Sequence, residues 1–218
     1  DLVVCFSPNT YIRSTFALLL SALSKDYVYI NLESFPLYMV ENIQTYNRNL
    51  SDILYHIKSQ KSNTIMALES AVITNRNHIN FIPPLDNPRD LWELSETEFD
   101  VFIEALMCWG HFSKVIIDSE CNTSPSTIKL FDAASFIVVP FEKTQINQIP
   151  RLKNMLNNIP GLDSEKVRWV LCGSSEELFS SEEMSNLYEF PWVRAYASDV
   201  NGFSLDPCEK NQLESLFK

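Results

Sequence analysis

Six short, almost wholly apolar runs recur along this chain with helical stretches between them, and that alternation narrows its fold more than any other feature. The runs are LVVCF (2–6), YVYINL (27–32), INFIPP (79–84), KVIID (114–118), FIVVP (136–140) and VRWVLC (167–172). Strands that lack polar alternation are buried on both faces, as in parallel sheets covered by helices. Helical periodicity predicts helices over 14–24, 50–59, 64–73, 96–109, 124–132, 145–158 and 181–187. Ser14 reads as the N-cap of the first. Ser95 and Glu98 form a capping box before a helix with Phe99, Phe102, Ile103 and Leu106 on one face. The expectation is an α/β, doubly wound, mainly parallel sheet of roughly six to eight strands flanked by helices, with run 2–6 at its centre. Ligands of such sheets bind beyond the carboxyl ends of the strands. The candidate functional residues are therefore Ser7 to Thr15, Glu33, Pro83 and Pro84, Asp118 to Asn122, and Pro140 to Lys143.

Composition removes several function classes. The net charge of −11 argues against nucleic acid, whose phosphates need clustered Lys and Arg, and against a polybasic hold on an anionic membrane. Five scattered cysteines without a CxxC pair read as reduced cytosolic thiols, which places the chain in the cytoplasm. The histidines His56, His78 and His111 have no metal-ligand spacing. The run FALLLSAL is too short to span a bilayer. At 218 residues the chain is expected to be a single domain, 1–218, and its start without Met, directly in a strand, is expected of a piece excised from behind an N-terminal region.

The opening stretch, DLVVCFSPNTYIRSTFALLLSAL, carries the chemistry. A strand leading through a Ser-Thr pair into an apolar helix is the outline of a phosphate loop. Such a loop turns successive backbone N–H groups inward around a phosphate, with glycines allowing the approach, a Lys for charge and a Ser or Thr for magnesium. Here Ser14 and Thr15 remain, Arg13 stands in the Lys position, and no glycine is left.

These residues resemble the MinD/ParA group of P-loop ATPases, whose deviant loop reads roughly P-K-G-G-x-G-K-S-T, and within it the TadZ/CpaE branch. Aligned on Ser-Pro and Ser-Thr, the loop is one residue short, with the signature Lys falling on Asn9 and the second Lys on Arg13. VYINLESF sits where the second strand leads toward switch I, and KVIIDSECN matches the strand carrying the switch II Asp, here Asp118. The resemblance covers roughly residues 1–172 and implies a MinD/ParA-like domain with Asn9, Thr10, Arg13, Ser14 and Thr15 as a vestigial phosphate loop. It also implies bacterial work in pilus assembly, secretion or cell-pole organisation. Loss of the glycines implies a non-hydrolysing scaffold without a cofactor. Its partners are then proteins, including a second copy met through the face around Tyr11 and Ile12. The alternative is an active, atypical ATPase with Arg13 replacing Lys, Asp118 catalytic, and ATP with magnesium held by Ser14 and Asp118. Glu33 and Glu120 read as solvated strand ends, and Cys121 has no His beside it to make a nucleophile.

Overall fold

Strand β1 (Leu2–Phe6) is buried at every position, and its side chains divide between two cores. Val3 and Cys5 join one, Leu2, Val4 and Phe6 the other. That division is the period-two alternation of a strand covered on both faces. In the computed structural model, which describes residues 1–36, 46–75, 77–173, 187–196 and 204–218, β1 leads into helix α1 (Thr10–Ser21). The chain continues through β2 (Tyr27–Asn31), α2 (Leu50–Lys58), α3 (Thr64–Ala71), β3 (Ile73–Thr74), β4 (Asn80–Ile82) and the single turn α4 (Arg89–Trp92). Then come α5 (Glu96–Met107), β5 (Lys114–Ser119), α6 (Pro125–Ala133), β6 (Phe136–Phe141), α7 (Ile149–Asn157) and β7 (Val167–Leu171). The last described elements are β8 (Leu187–Glu189), α8 (Val193–Tyr196) and α9 (Pro207–Glu214).

The described strands form one eight-stranded sheet in the order β3-β4-β2-β5-β1-β6-β7-β8, parallel throughout except for the β3–β4 pair. This is the doubly wound, mainly parallel sheet the apolar runs predict, with β1 at its middle. The chain leaves β1 toward β2 and β4, returns to β5, and crosses β1 to reach β6. The carboxyl ends of β1 and β5 thus lie where the winding reverses, the place such sheets leave open for a site.

Several local expectations are corrected. Helix α1 begins four residues before Ser14, and its N-cap is Asn9, whose side chain accepts from Ile12 N–H. The helix predicted over 145–158 divides into a 3-10 turn, Lys143–Gln148, and α7, with Pro150 in the first turn of the latter. Of the helix predicted over 181–187, Leu187 opens strand β8 instead, and 181–186 lie outside the described residues. The capping box of Ser95 and Glu98 is present, and Phe99, Phe102, Ile103 and Leu106 are all buried behind it. Among the described residues no helix is long and apolar enough to cross a membrane.

Candidate functional site

Three residues, Ser7 to Asn9, join β1 to α1. The connection is too short to wrap a phosphate, because Thr10 to Arg13 are already coiled into the first helical turn. Three of the N–H groups of this segment are spent within the turn itself. Asn9 N–H donates to Ser7 Oγ at 3.2 Å, Ile12 N–H to Asn9 Oδ1 at 3.2 Å, and Arg13 N–H to the Asn9 carbonyl at 3.0 Å. The Asn9 side-chain amide reaches across to the end of β6, donating to Glu142 Oε2 at 3.3 Å and Gln145 Oε1 at 3.2 Å. Ile12 is fully buried while Tyr11 is 40% exposed, so the face expected around the two carries only the tyrosine at its surface.

Arg13 is the centre of the site. Its side chain, only 1% exposed, lies among the carboxyl ends of three adjacent strands. Nε donates to Asp118 Oδ1 at 2.6 Å, a second nitrogen donates to the Ser7 carbonyl at 2.8 Å, and a third pairs with Glu33 Oε1. Asp118, on β5, pairs in register with Cys5 of β1 and Asn31 of β2, and is itself wholly buried. Its second oxygen accepts from the Tyr29 hydroxyl at 2.9 Å and from the Asn31 amide at 3.2 Å. Asn31 Oδ1 in turn accepts from Glu33 N–H at 2.7 Å and so fixes the backbone that carries Glu33. Buried carboxylates persist only when paired and hydrogen-bonded, and here one guanidinium serves two of them. Burial, with the Asp118 charge beside it, pushes the Tyr29 phenol and the Cys5 thiol well above their ordinary ranges, so both stay protonated.

The sequence-derived residues therefore fall into two groups. Asn9, Arg13, Asp118 and Glu142 meet in one network with Ser7. Ser14 and Thr15 sit inside α1, where the Thr15 hydroxyl turns back to the Tyr11 carbonyl at 2.8 Å and the buried Ser14 hydroxyl makes no hydrogen bond. Thr10 opens the helix. Pro83 lends its carbonyl to Leu50 N–H at the start of α2. Glu33 is not a solvated strand end: it is 6% exposed because Arg13 pairs with it. Glu120 is half-buried, accepting from Ser34 N–H at 2.8 Å. Burial raises the Cys121 thiol, with the Arg13 charge opposing only in part, so it is no activated nucleophile. Tyr29, Asn31 and Gln145 were not singled out by sequence reasoning. The signal for the first two is a pair of polar side chains two apart, hence on one face, in an otherwise apolar strand.

Magnesium-ATP does not fit these residues. The guanidinium that would meet phosphate is committed to protein acceptors, both oxygens of Asp118 are occupied, and the backbone offers a helical turn in place of a cradle.

No protein-family model matches the chain, and no curated protein matches it. Solved structures do. A plasmid partition protein from Borrelia burgdorferi superposes with a TM-score of 0.67 at 11% identity, covering 100% of this chain and 97% of that one. MinD from Aquifex aeolicus, in complex with MinC, gives 0.66 at 12% identity over 100% and 96%. A ParA family ATPase from Chlorobium tepidum gives 0.64 at 12% over 100% and 97%. The chain shares the MinD/ParA-type P-loop NTPase fold with these proteins.

Proposed function

We propose that this domain is a non-hydrolysing scaffold built on the MinD/ParA fold, acting by binding other proteins in an assembly of the pilus, secretion or cell-pole kind. The observation that carries the reading is the commitment of Arg13 to Asp118 and Glu33 in a buried cluster. In a working phosphate loop the cation faces the nucleotide and the switch II Asp is free for magnesium. Here each satisfies the other, so the strand ends that a nucleotide would order are already ordered. Of the solved structures that share the fold, one is a complex of MinD with MinC, which is consistent with a partner-binding role. The branch resemblance of the opening 172 residues supplies the cellular setting.

Calorimetry of the purified domain with ATP and magnesium tests this. The expected result is no binding tighter than about 100 μM, or about 5.5 kcal/mol, and no phosphate release above a blank. A saturable isotherm with turnover abolished by Asp118→Ala would instead establish an atypical ATPase in which Arg13 swings from the carboxylates to phosphate.

A further inference from the structure

Beyond the Arg13 cluster, β5 runs out through Ser119 and Glu120 toward α6. Between this segment, Leu32 beyond β2, and helices α4, α5 and α6 lies a cavity of about 380 Å³. Its apolar lining comes from Leu32, Leu91, Leu94, Phe99 and Leu130, and Trp92 also lines it while 64% exposed. The size and largely apolar wall are those of a pocket that takes one or two side chains. Glu120 supplies a carboxylate to the lining. It accepts from Ser34 N–H at 2.8 Å, from the Ser34 hydroxyl, and from the Asn122 amide at 3.3 Å. All of these are neutral donors, and no ion pair to Glu120 is found among the described residues. Glu96 adds a second carboxylate, 80% exposed, which the lining cation Lys129 reaches only at 4.0 Å while Asp100 holds that lysine at 2.5 Å. Phe35, next to Ser34, is 83% exposed.

We infer that this cavity is a docking site for a protein partner, and that the partner presents an apolar anchor side chain flanked by lysine or arginine. The inference rests on the scaffold reading for its premise that partner binding is the domain's work. Exposed aromatic groups beside a concave apolar wall are the usual anchor points of protein interfaces. A carboxylate already fixed by three neutral donors needs no reorganisation to meet a cation, so a basic flank gains what an acidic one forfeits. The chain's −11 charge steers basic partners toward it and disfavours a second copy, which would bring the same charge. Ser34 and Glu120 each lie within two residues of an Arg13 partner, Glu33 and Asp118, so the docking surface is anchored to a rigid cluster.

Random peptides displayed on phage, selected on the intact chain at physiological salt, provide the probe. The expected outcome is a consensus of an aromatic or aliphatic residue between basic ones. Binding of the enriched peptides should weaken by about tenfold or more with Glu120→Gln and with Trp92→Ala, both at unchanged melting temperature. The remote Glu165→Gln should leave it unchanged. An acidic or neutral consensus, equal losses at Glu120 and Glu165, or no enrichment over the Glu120→Gln, Trp92→Ala double variant would each overturn the site. Such an outcome leaves the scaffold reading standing if ATP also fails to bind. ATP turnover would remove that reading while the peptide selection still decides the pocket.

Discussion

Arg13 spends a planar fork of donors on three acceptors: the Asp118 carboxylate, the Glu33 carboxylate and the Ser7 carbonyl. A lysine in its place is a single point charge on a flexible stem and cannot span all three. Removing the cation altogether strands two buried carboxylates, and breaking a buried pair from one side costs about 3–5 kcal/mol. Arg13→Met is therefore expected to lower the urea midpoint strongly, with Arg13→Lys intermediate. The same reasoning predicts recovery. In Arg13→Met, Asp118→Asn, Glu33→Gln no buried charge remains, and a neutral cluster of similar volume regains most of the lost stability. Urea unfolding of the single and triple variants measures both effects; a single variant as stable as wild type would show that the cluster contributes nothing to the fold.

Helix α1 is buried from Ile12 through Ser21 on all sides, which is why it does not read as an amphipathic surface helix. Within it, Ile12 joins the core with Cys5, Phe16 and Val138, whereas Tyr11 stays 40% exposed. Ile12→Ser removes buried methyl groups and buries a hydroxyl, with an expected cost of about 2–4 kcal/mol, while Tyr11→Ser stays within about 0.5 kcal/mol of wild type. Sedimentation of both variants is expected to give the wild-type mass, and a fall to half that mass in either would instead support the dimer face expected from sequence. The elements differ in how plainly the chain announces them. β1, β2, β5, β6 and β7 each contain most of an apolar run and are five or six residues long, and they lie where those runs predict. β3 and β8, with two and three residues, owe their ladders to neighbours already in place and leave no run to read. The start of α1 was hidden because a phosphate-loop outline assigns Tyr11 to Arg13 to a loop, although Asn9 is a good N-cap. Within the site, Asp118 was legible as an acid ending a buried strand. The burial of Glu33 was not, since it depends on a guanidinium arriving from a helix some twenty residues away.

Taken as a whole, the molecule places three fully buried, displaced acids in one layer. Cys5 on β1, Tyr29 on β2 and Cys172 just beyond β7 all belong to the core shared with α1, α8 and α9. Burial raises each of them above its ordinary range, reinforced by Asp118 at Cys5 and Tyr29 and by Glu142 at Cys172. In the unfolded chain thiols release their protons near pH 8.5 and phenols near pH 10. Below about pH 8 both states hold every one of these protons, and stability is indifferent to them. Above it the unfolded chain binds fewer protons than the folded one, so the free energy of unfolding falls as pH rises, first through the thiols and then through Tyr29. The decline continues until pH passes the raised native values, when ionisation would have to occur inside the core. Urea midpoints between pH 7 and pH 10.5 are therefore expected to drop progressively. Cys5→Ala with Cys172→Ala should flatten most of the part of the fall that begins near pH 8.5, leaving there the share of Cys121. The later part should remain, since it belongs to Tyr29 together with the raised phenols of Tyr27 and Tyr196. A profile equally steep in that double variant would mean that the alkaline loss arises outside the α1-side core.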